Sequence, residues 1–159
     1  MRPLPKHLRR RRRYLALRLE CPSDVTLAER GLQRALWATA RRVGGARLSA
    51  ETDLQVMRFE AAPGVAVALV RTPHAVERAG RGVLASLDAV DATPVSPQVV
   101  GVCGTIAACE ERYMNHDTRA VDERDVAFDS QTRAAFVRGA QVDIVGPSGD
   151  IGATRLDLE

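Results

Sequence analysis

The apolar periodicity of residues 72–87 constrains the fold more than any other feature of this sequence. Thr72 is a suitable helix N-cap, and Pro73 suits the first helical position, where its missing N–H is not needed. The apolar residues that follow recur at the spacing of one helix face: Val76, Ala79, Gly80, Val83, Leu84 and Leu87. The segment therefore predicts an amphipathic helix packed on a core.

An earlier segment predicts a second helix of the same kind. Thr26 and Glu29 have the spacing of a capping box at its start. The residues on its apolar face are Leu32, Leu36, Trp37, Ala40 and Val43. Gly44-Gly45 predicts the end of this helix, because glycine commonly follows the last helical turn.

Four segments have the apolar patterns of strands: Leu15 to Leu19, Leu54 to Phe59, Val65 to Val70, and Val99 to Val102. The first alternates apolar and more polar residues, which is typical of a half-buried strand. Pro63-Gly64 is a turn signal between the second and third, so these two segments predict a hairpin.

The predicted order is strand, helix, strand, strand, helix, strand, and a short further helix begins after Gly104-Thr105. This order is the split βαβ, or ferredoxin-like, arrangement, which RNA-recognition domains also adopt. We therefore predict an α+β domain over residues 14–114, with helices packed on an antiparallel sheet and an extra C-terminal helix.

A strongly basic arm, residues 1–13, precedes this domain. Arg2, Lys6 and Arg9 to Arg13 carry positive charge there, and the arm contains no acidic residue. Because like charges repel at close spacing, we expect the arm to be disordered until it meets an anionic partner.

The chain ends in a segment of opposite charge. Residues 1–114 carry 18 basic and 11 acidic side chains, whereas residues 115–159 carry 5 and 9. The terminal segment is rich in turn residues and has one possible strand, Gln141 to Val145. We expect residues 115–159 to be an acidic, poorly ordered extension.

The residues that usually form catalytic or metal sites are scattered. The three histidines are His7, His74 and His116, and the three cysteines are Cys21, Cys103 and Cys109, without a C-x-x-C pair. We predict no catalytic site, metal site or cofactor bound by the protein, and buried, reduced cysteines. No apolar run approaches the roughly 20 residues that span a bilayer, so we expect a cytoplasmic protein.

Charge is the feature that favours RNA as a partner. Aromatic residues make up only 4% of the chain, so base stacking on the sheet is not its main means of binding. Arg18, Arg58 and Arg71 lie on or beside predicted strands and add to the arm. Phosphate contacts give affinity and positioning, but charge runs are often solvated faces, and composition alone leaves RNA binding undecided.

Three segments carry a resemblance to a known family. They are Leu4-Pro5-Lys6-His7-Leu8-Arg9 running into Arg13-Tyr14-Leu15-Ala16, then Leu32-Gln33-Arg34-Ala35-Leu36-Trp37, then residues 99–106 followed by 109–113. In this order and spacing they resemble archaeal ribonuclease P protein component 2, a relative of the smaller Pop-type subunit of eukaryotic ribonucleases P and MRP. The resemblance covers roughly residues 3–114. The family usually has Ser where Cys103 stands.

This resemblance implies a subunit of a ribonucleoprotein endonuclease, a hydrolase that removes the 5′ leader from precursor tRNA. In the family the RNA subunit is the catalyst and holds most of the Mg²⁺. Component 2 pairs with component 3 in an assembly containing two copies of each, alongside other protein components. The implied partners are therefore ribonuclease P RNA, precursor tRNA and these proteins, and no membrane.

On this interpretation the arm and nearby residues contact RNA phosphates. The predicted RNA-binding residues are Lys6, His7, Arg9, Arg10, Arg11, Arg12, Arg13, Tyr14 and Arg58. Tyr14 anchors the arm to the first strand, and Trp37 is either a core residue or a contact with component 3. Two other classes stay open: a free-standing or ribosome-associated RNA-binding module, and a ferredoxin-like small-molecule sensor, which would need a ligand pocket but no basic arm.

Overall fold

Strands and helices occur in the predicted order between residues 12 and 109. The computed structural model describes residues 3–114, 122–138, 141–147, 149–154 and 157–158. In chain order, the elements up to residue 109 are β1 (Arg12–Glu20), α1 (Glu29–Thr52), β2 (Gln55–Ala62), β3 (Val65–Pro73), α2 (Glu77–Ala85), β4 (Ala89–Val90), β5 (Thr93–Pro94), β6 (Ser96–Cys103) and α3 (Ile106–Cys109). The chain divides into two compact units, residues 1–118 and 119–159, and all these elements belong to the first.

The main sheet of the first unit has the strand order β2-β3-β1-β6, and every neighbouring pair is antiparallel. Together with α1 and α2, this is the ferredoxin-like arrangement, so the predicted fold class is confirmed. The short strands β4 and β5 pair with each other in the connection between α2 and β6. None of the helices in the described ranges has the length and apolar character that a membrane crossing requires.

Helices α1 and α2 pack on one face of this sheet. Leu15, Leu17 and Leu19 of β1 are fully buried on that side, as their alternation predicts. The helix side chains that join them in one cluster are Leu32, Leu36, Ala40, Val83 and Leu84. Burial of each such leucine or valine contributes about 1.5–3 kcal/mol, so this face is a main source of the unit's stability.

The opposite face of the sheet is partly covered by α3 and the wide turn after it, Glu110–Met114. The buried residues of this second cluster are Ala16, Val67, Leu69, Cys103, Cys109 and Met114. Thr105 is the N-cap of α3, where its hydroxyl accepts a hydrogen bond from the Ala108 N–H at 3.2 Å. Part of the sheet face that RNA-recognition domains use for base stacking is therefore occupied by this chain's own residues.

The start of α1 differs from the prediction. The helix begins at Glu29 without a side-chain cap, so Thr26 and Glu29 form no capping box. The preceding residues are held otherwise, because Leu27 is buried and the Val25 carbonyl accepts a hydrogen bond from Gly64 N–H at 2.9 Å. Val25 and Leu27 therefore contact the rest of the domain and do not form a first helical turn.

The start of α2 is also later than predicted. Thr72 and Pro73 are the last two residues of β3, and the helix begins at Glu77. Thr72 is buried, and its hydroxyl donates to the Thr52 carbonyl at 2.8 Å instead of capping a helix. The predicted buried face is present nonetheless, in Gly80, Val83 and Leu84.

Gly44-Gly45 bends α1 rather than ending it. Gly45 has a φ of 71°, a backbone conformation that favours glycine. Helical turns then resume and continue to Thr52, where Asp53 caps the helix in a left-handed conformation. The second segment of α1 thereby brings Asp53 close to the beginning of β1, which matters for the basic arm.

The second unit is a four-stranded antiparallel meander, which differs from the expected extension of low order. Its strands are β7 (Asp122–Phe128), β8 (Gln131–Arg138), β9 (Gln141–Gly146) and β10 (Gly149–Thr154), paired in the order β10-β9-β8-β7. A small cluster of buried residues contains Val126, Ala135, Val137, Val142 and Ile144. Of the four strands, the sequence pattern reveals β9 alone, because the others have few apolar residues among charged and small ones.

A substitution at Gly101 in β6 tests how closely the turn after α3, Glu110–Met114, packs on the sheet. A Cβ atom at this position would fall 2.0 Å from ring atoms of Tyr113. We expect Gly101→Ala to push the ring away and to lower the free energy of unfolding by about 1–2 kcal/mol. Urea denaturation followed through the single tryptophan, Trp37, measures this change in the first unit.

The matched control is Gly82→Ala in α2, where a Cβ atom would meet nothing within 4 Å. Because alanine favours helix over glycine, this substitution should raise the free energy of unfolding by up to about 1 kcal/mol. A Gly101→Ala protein as stable as the unmodified chain would show that Tyr113 does not depend on close approach to β6.

Candidate nucleic-acid interface

The arm from Pro3 to Arg11 has local hydrogen-bonded structure and is joined to the domain at its end. The Leu8 N–H donates to the Pro5 carbonyl at 2.9 Å within a short turn. The Arg9 Nε donates to the Leu4 carbonyl at 2.8 Å. The predicted RNA-binding residues of this stretch are all exposed: Lys6, His7, Arg9, Arg10 and Arg11.

One backbone hydrogen bond fixes the end of the arm. The His74 N–H, just after β3, donates to the Arg11 carbonyl at 2.9 Å. The side chains of Arg10 and Arg11 have no hydrogen-bond or ion-pair partner within the part of the chain that the structure describes. The arm therefore presents uncompensated cations from a fixed place, which differs from the disorder expected from its charge.

Arg12 and Arg13 are different, because they are the first residues of β1 and not of the arm. The Arg12 Nη1 lies 3.2 Å from the Asp53 Oδ2, and the Arg13 Nε lies 3.6 Å from the Glu77 Oε2. Both arginine side chains are about one-third exposed. Their charges are partly compensated within the fold, so the predicted boundary of the arm at residue 13 is two residues too late.

Tyr14 continues β1 between two neighbouring strands. It lies opposite Arg71 of β3 and Cys103 of β6. Its carbonyl accepts a hydrogen bond from the Cys109 Sγ at 3.4 Å, and its side chain packs against the second cluster. This position suits the predicted role of holding the arm to the first strand.

Arg58, predicted to contact RNA, forms an ion pair with another residue of the domain. Its Nε lies 2.5 Å from the Glu110 Oε1, which joins β2 to the turn after α3. Arg71 is the contrasting case on the same face, because its Nε is buried without a hydrogen-bond partner. The sequence places Arg71 next to a strand, but only the folded chain shows that its Nε is buried without a hydrogen-bond partner among the described residues.

Trp37 is neither fully buried nor free. Its side chain is 40% exposed, and its Nε1 donates to the Leu54 carbonyl at 3.0 Å. It lines a shallow depression together with residues from both segments of α1, including Arg41 and Ala50. Trp37 thus lies at the edge of the apolar stripe, and it presents an aromatic surface beside the kink of α1.

The cysteines do not form a reactive centre. Cys109 is fully buried, and burial, with a hydrogen bond to Cys103, raises the pKa of its thiol to about 12. Burial also raises the pKa of Cys21, so these thiols are poor nucleophiles at neutral pH. Within the described ranges, His, Cys, Asp and Glu form no group of three or more that could hold a metal ion. His116 lies outside those ranges.

Comparison with known proteins gives a consistent result for the first unit. The profile of the Rpp14/Pop5 family matches residues 13–114. Ribonuclease P protein component 2 of Halorubrum lacusprofundi is 41% identical over 159 residues, which is 100% of both chains. The component 2 protein of Natronomonas pharaonis is 41% identical over 99% of this chain and 98% of its own.

The second unit is part of this similarity in the two relatives from halophiles, since both align along the whole chain. The component 2 protein of Methanosarcina barkeri is 25% identical over 116 residues, or 73% of this chain and 82% of its own. The family profile, like the resemblance, is limited to the ferredoxin-like unit. By this profile and by the identity with full-length relatives, the chain belongs to the Rpp14/Pop5 family.

Proposed function

We propose that this chain is the component 2 protein of an archaeal ribonuclease P, which removes the 5′ leader from precursor tRNA. The observation that carries the proposal is the full-length similarity to proteins of that name. The exposed, unpaired cations of the arm support it, because an RNA subunit offers the matching phosphates. Reconstitution of precursor tRNA cleavage with and without the chain tests the role.

In this role the protein acts on the folding of RNA and not on the scissile bond. Each cation that neutralises a phosphate reduces the repulsion between RNA strands that the active structure brings together. Such a subunit needs no general base or nucleophile of its own. We propose that the RNA supplies the catalytic groups and holds the Mg²⁺.

The predicted RNA contacts divide into two groups with different tasks. The residues of the arm, Lys6, His7, Arg9, Arg10 and Arg11, are proposed to contact phosphates directly. The others are Arg12, Arg13, Tyr14 and Arg58. They are proposed to hold the arm and sheet in place, since the three arginines have carboxylate partners and Tyr14 packs inside the domain.

Trp37 is proposed to contact ribonuclease P protein component 3. Half-exposed aromatic residues are common centres of protein interfaces, and Trp37 is 40% exposed. We expect Trp37→Ala to weaken binding to component 3 by about tenfold or more. The free energy of unfolding should fall by only about 1–2 kcal/mol, because the ring is not fully buried. Isothermal titration calorimetry and urea denaturation followed by circular dichroism measure the two effects.

Val43→Ala is the matched control for this prediction. Val43 is 49% exposed on the same helix, about 120° around the axis from Trp37, and its truncation should leave both quantities nearly unchanged. If the Trp37→Ala protein does not fold, Trp37 is a core residue and not an interface residue. A folded variant that binds component 3 as tightly as the control would remove Trp37 from the interface.

A further inference from the structure

We infer that a depression beside the arm binds one unstacked nucleotide of the RNA, with its base inside and its phosphate on Arg10 and Arg11. The inference rests on the proposed function and adds base recognition to it. The depression lies where the arm, the end of α1 and the residues after β3 meet. Its volume is about 620 Å³, which is within the range of about 300–1,000 Å³ that small-molecule sites occupy.

The apolar part of the depression suits the face of a base. Ala50, Pro73, Ala75 and Val76 line it, and together they offer a surface from which water is readily displaced. His74 lines the same space, and its imidazole ring is one of the side chains on which unstacked RNA bases stack. The four apolar residues are small, so they leave room for a flat ring.

The cationic part suits the phosphate of the same nucleotide. Arg10 and Arg11 line the depression, and neither side chain has a partner elsewhere in the described residues. The hydrogen bond from His74 N–H to the Arg11 carbonyl, 2.9 Å long, ties the cationic side to the apolar side. A guanidinium beside an apolar recess matches a nucleotide, in which a phosphate and a flat base are joined by one sugar.

Two carboxylates in the depression predict which bases it prefers. Glu51 and Asp53 line it; Glu51 is bonded to Arg47 at 2.7 Å and Asp53 to Arg12 at 3.2 Å. These partners offset the negative charge that would otherwise repel phosphate. Carboxylate oxygens can still accept hydrogen bonds from an amino group of cytosine, adenine or guanine, which uracil lacks. The site should therefore disfavour uridine.

The test compares short single-stranded RNAs of equal length on the full chain: oligocytidylate, oligouridylate and an abasic oligomer. The unmodified chain should bind oligocytidylate about tenfold more tightly than the abasic oligomer, with oligouridylate between them. Ala75→Leu, which fills the depression, should remove most of this preference for oligocytidylate but keep the salt dependence of binding. His74→Ala should reduce the preference partly.

Ala38→Leu, which adds the same side chain on the exposed face of α1, is the control and should keep the full preference. Equal affinity of the unmodified chain for all three oligomers, at a steep salt dependence, would overturn the base site and leave the proposed function standing. Absence of any salt-dependent RNA binding would instead contradict the proposed function. If Ala75→Leu binds each oligomer as the unmodified chain does but loses component 3, the depression is a protein-docking site and the inference is wrong.

Discussion

Replacing Arg10 and Arg11 together with alanine is expected to weaken binding to ribonuclease P RNA by tenfold or more at low salt. Neither side chain has a partner among the described residues, so their charges are available to phosphates. Each neutralised phosphate contributes about −0.7 to −0.9 to the slope of log affinity against log salt concentration. The double substitution should therefore flatten the slope by about 1.4–1.8, as titrations at several salt concentrations would measure.

The matched control removes the same charge from another place. Arg30 and Arg41 are exposed residues of α1, and Arg30→Ala with Arg41→Ala should change the slope by much less. The stability of the Arg10/Arg11 variant should be unaffected, because both side chains are exposed. If both double variants flatten the slope equally, RNA binding depends on net charge and not on the arm.

The order of the elements could be predicted from the sequence because periodicity records local burial. Leu15, Leu17 and Leu19 are buried on one face of β1 for the reason that their spacing suggests. The residues at which the helices begin could not be predicted, because they depend on contacts with residues distant in the sequence. The Thr72 hydroxyl donates a hydrogen bond to the carbonyl of Thr52, 20 residues away. The Val25 carbonyl accepts a hydrogen bond from the Gly64 N–H. A local pattern contains no information about such partners.

The basic composition of the candidate interface could be predicted from the sequence, but which of its charges are paired within the fold could not. The sequence groups Arg9 to Arg13 in one run, whereas the fold divides the run after Arg11, where β1 begins. The carboxylates that pair with Arg12 and Arg13 are those of Asp53, which follows the end of α1, and Glu77, the first residue of α2. Only the folded chain therefore shows which arginines are compensated. The position of His74 beside the arm likewise depends on the pairing of β1 with β3.

Omitting the chain from reconstituted ribonuclease P is expected to have the largest effect on activity. The assay combines the RNA subunit and the other protein components with precursor tRNA at low Mg²⁺. Cleavage should slow by about tenfold or more, because the cations that offset phosphate repulsion are missing. Raising the Mg²⁺ concentration about tenfold should bring the cleavage rates with and without the chain closer together, since Mg²⁺ neutralises the same phosphates.

The rate of precursor tRNA cleavage with and without the chain is the measurement that tests the central claim most directly. The claim predicts that at low Mg²⁺ the rate is much higher with the chain than without it. The Arg10/Arg11 variant should give only part of this increase in rate, and no cleavage should occur once the RNA subunit is removed. A rate that does not change when the chain is omitted at low Mg²⁺ would contradict the claim. So would cleavage that survives destruction of the RNA subunit and is lost on replacing a single residue of the chain.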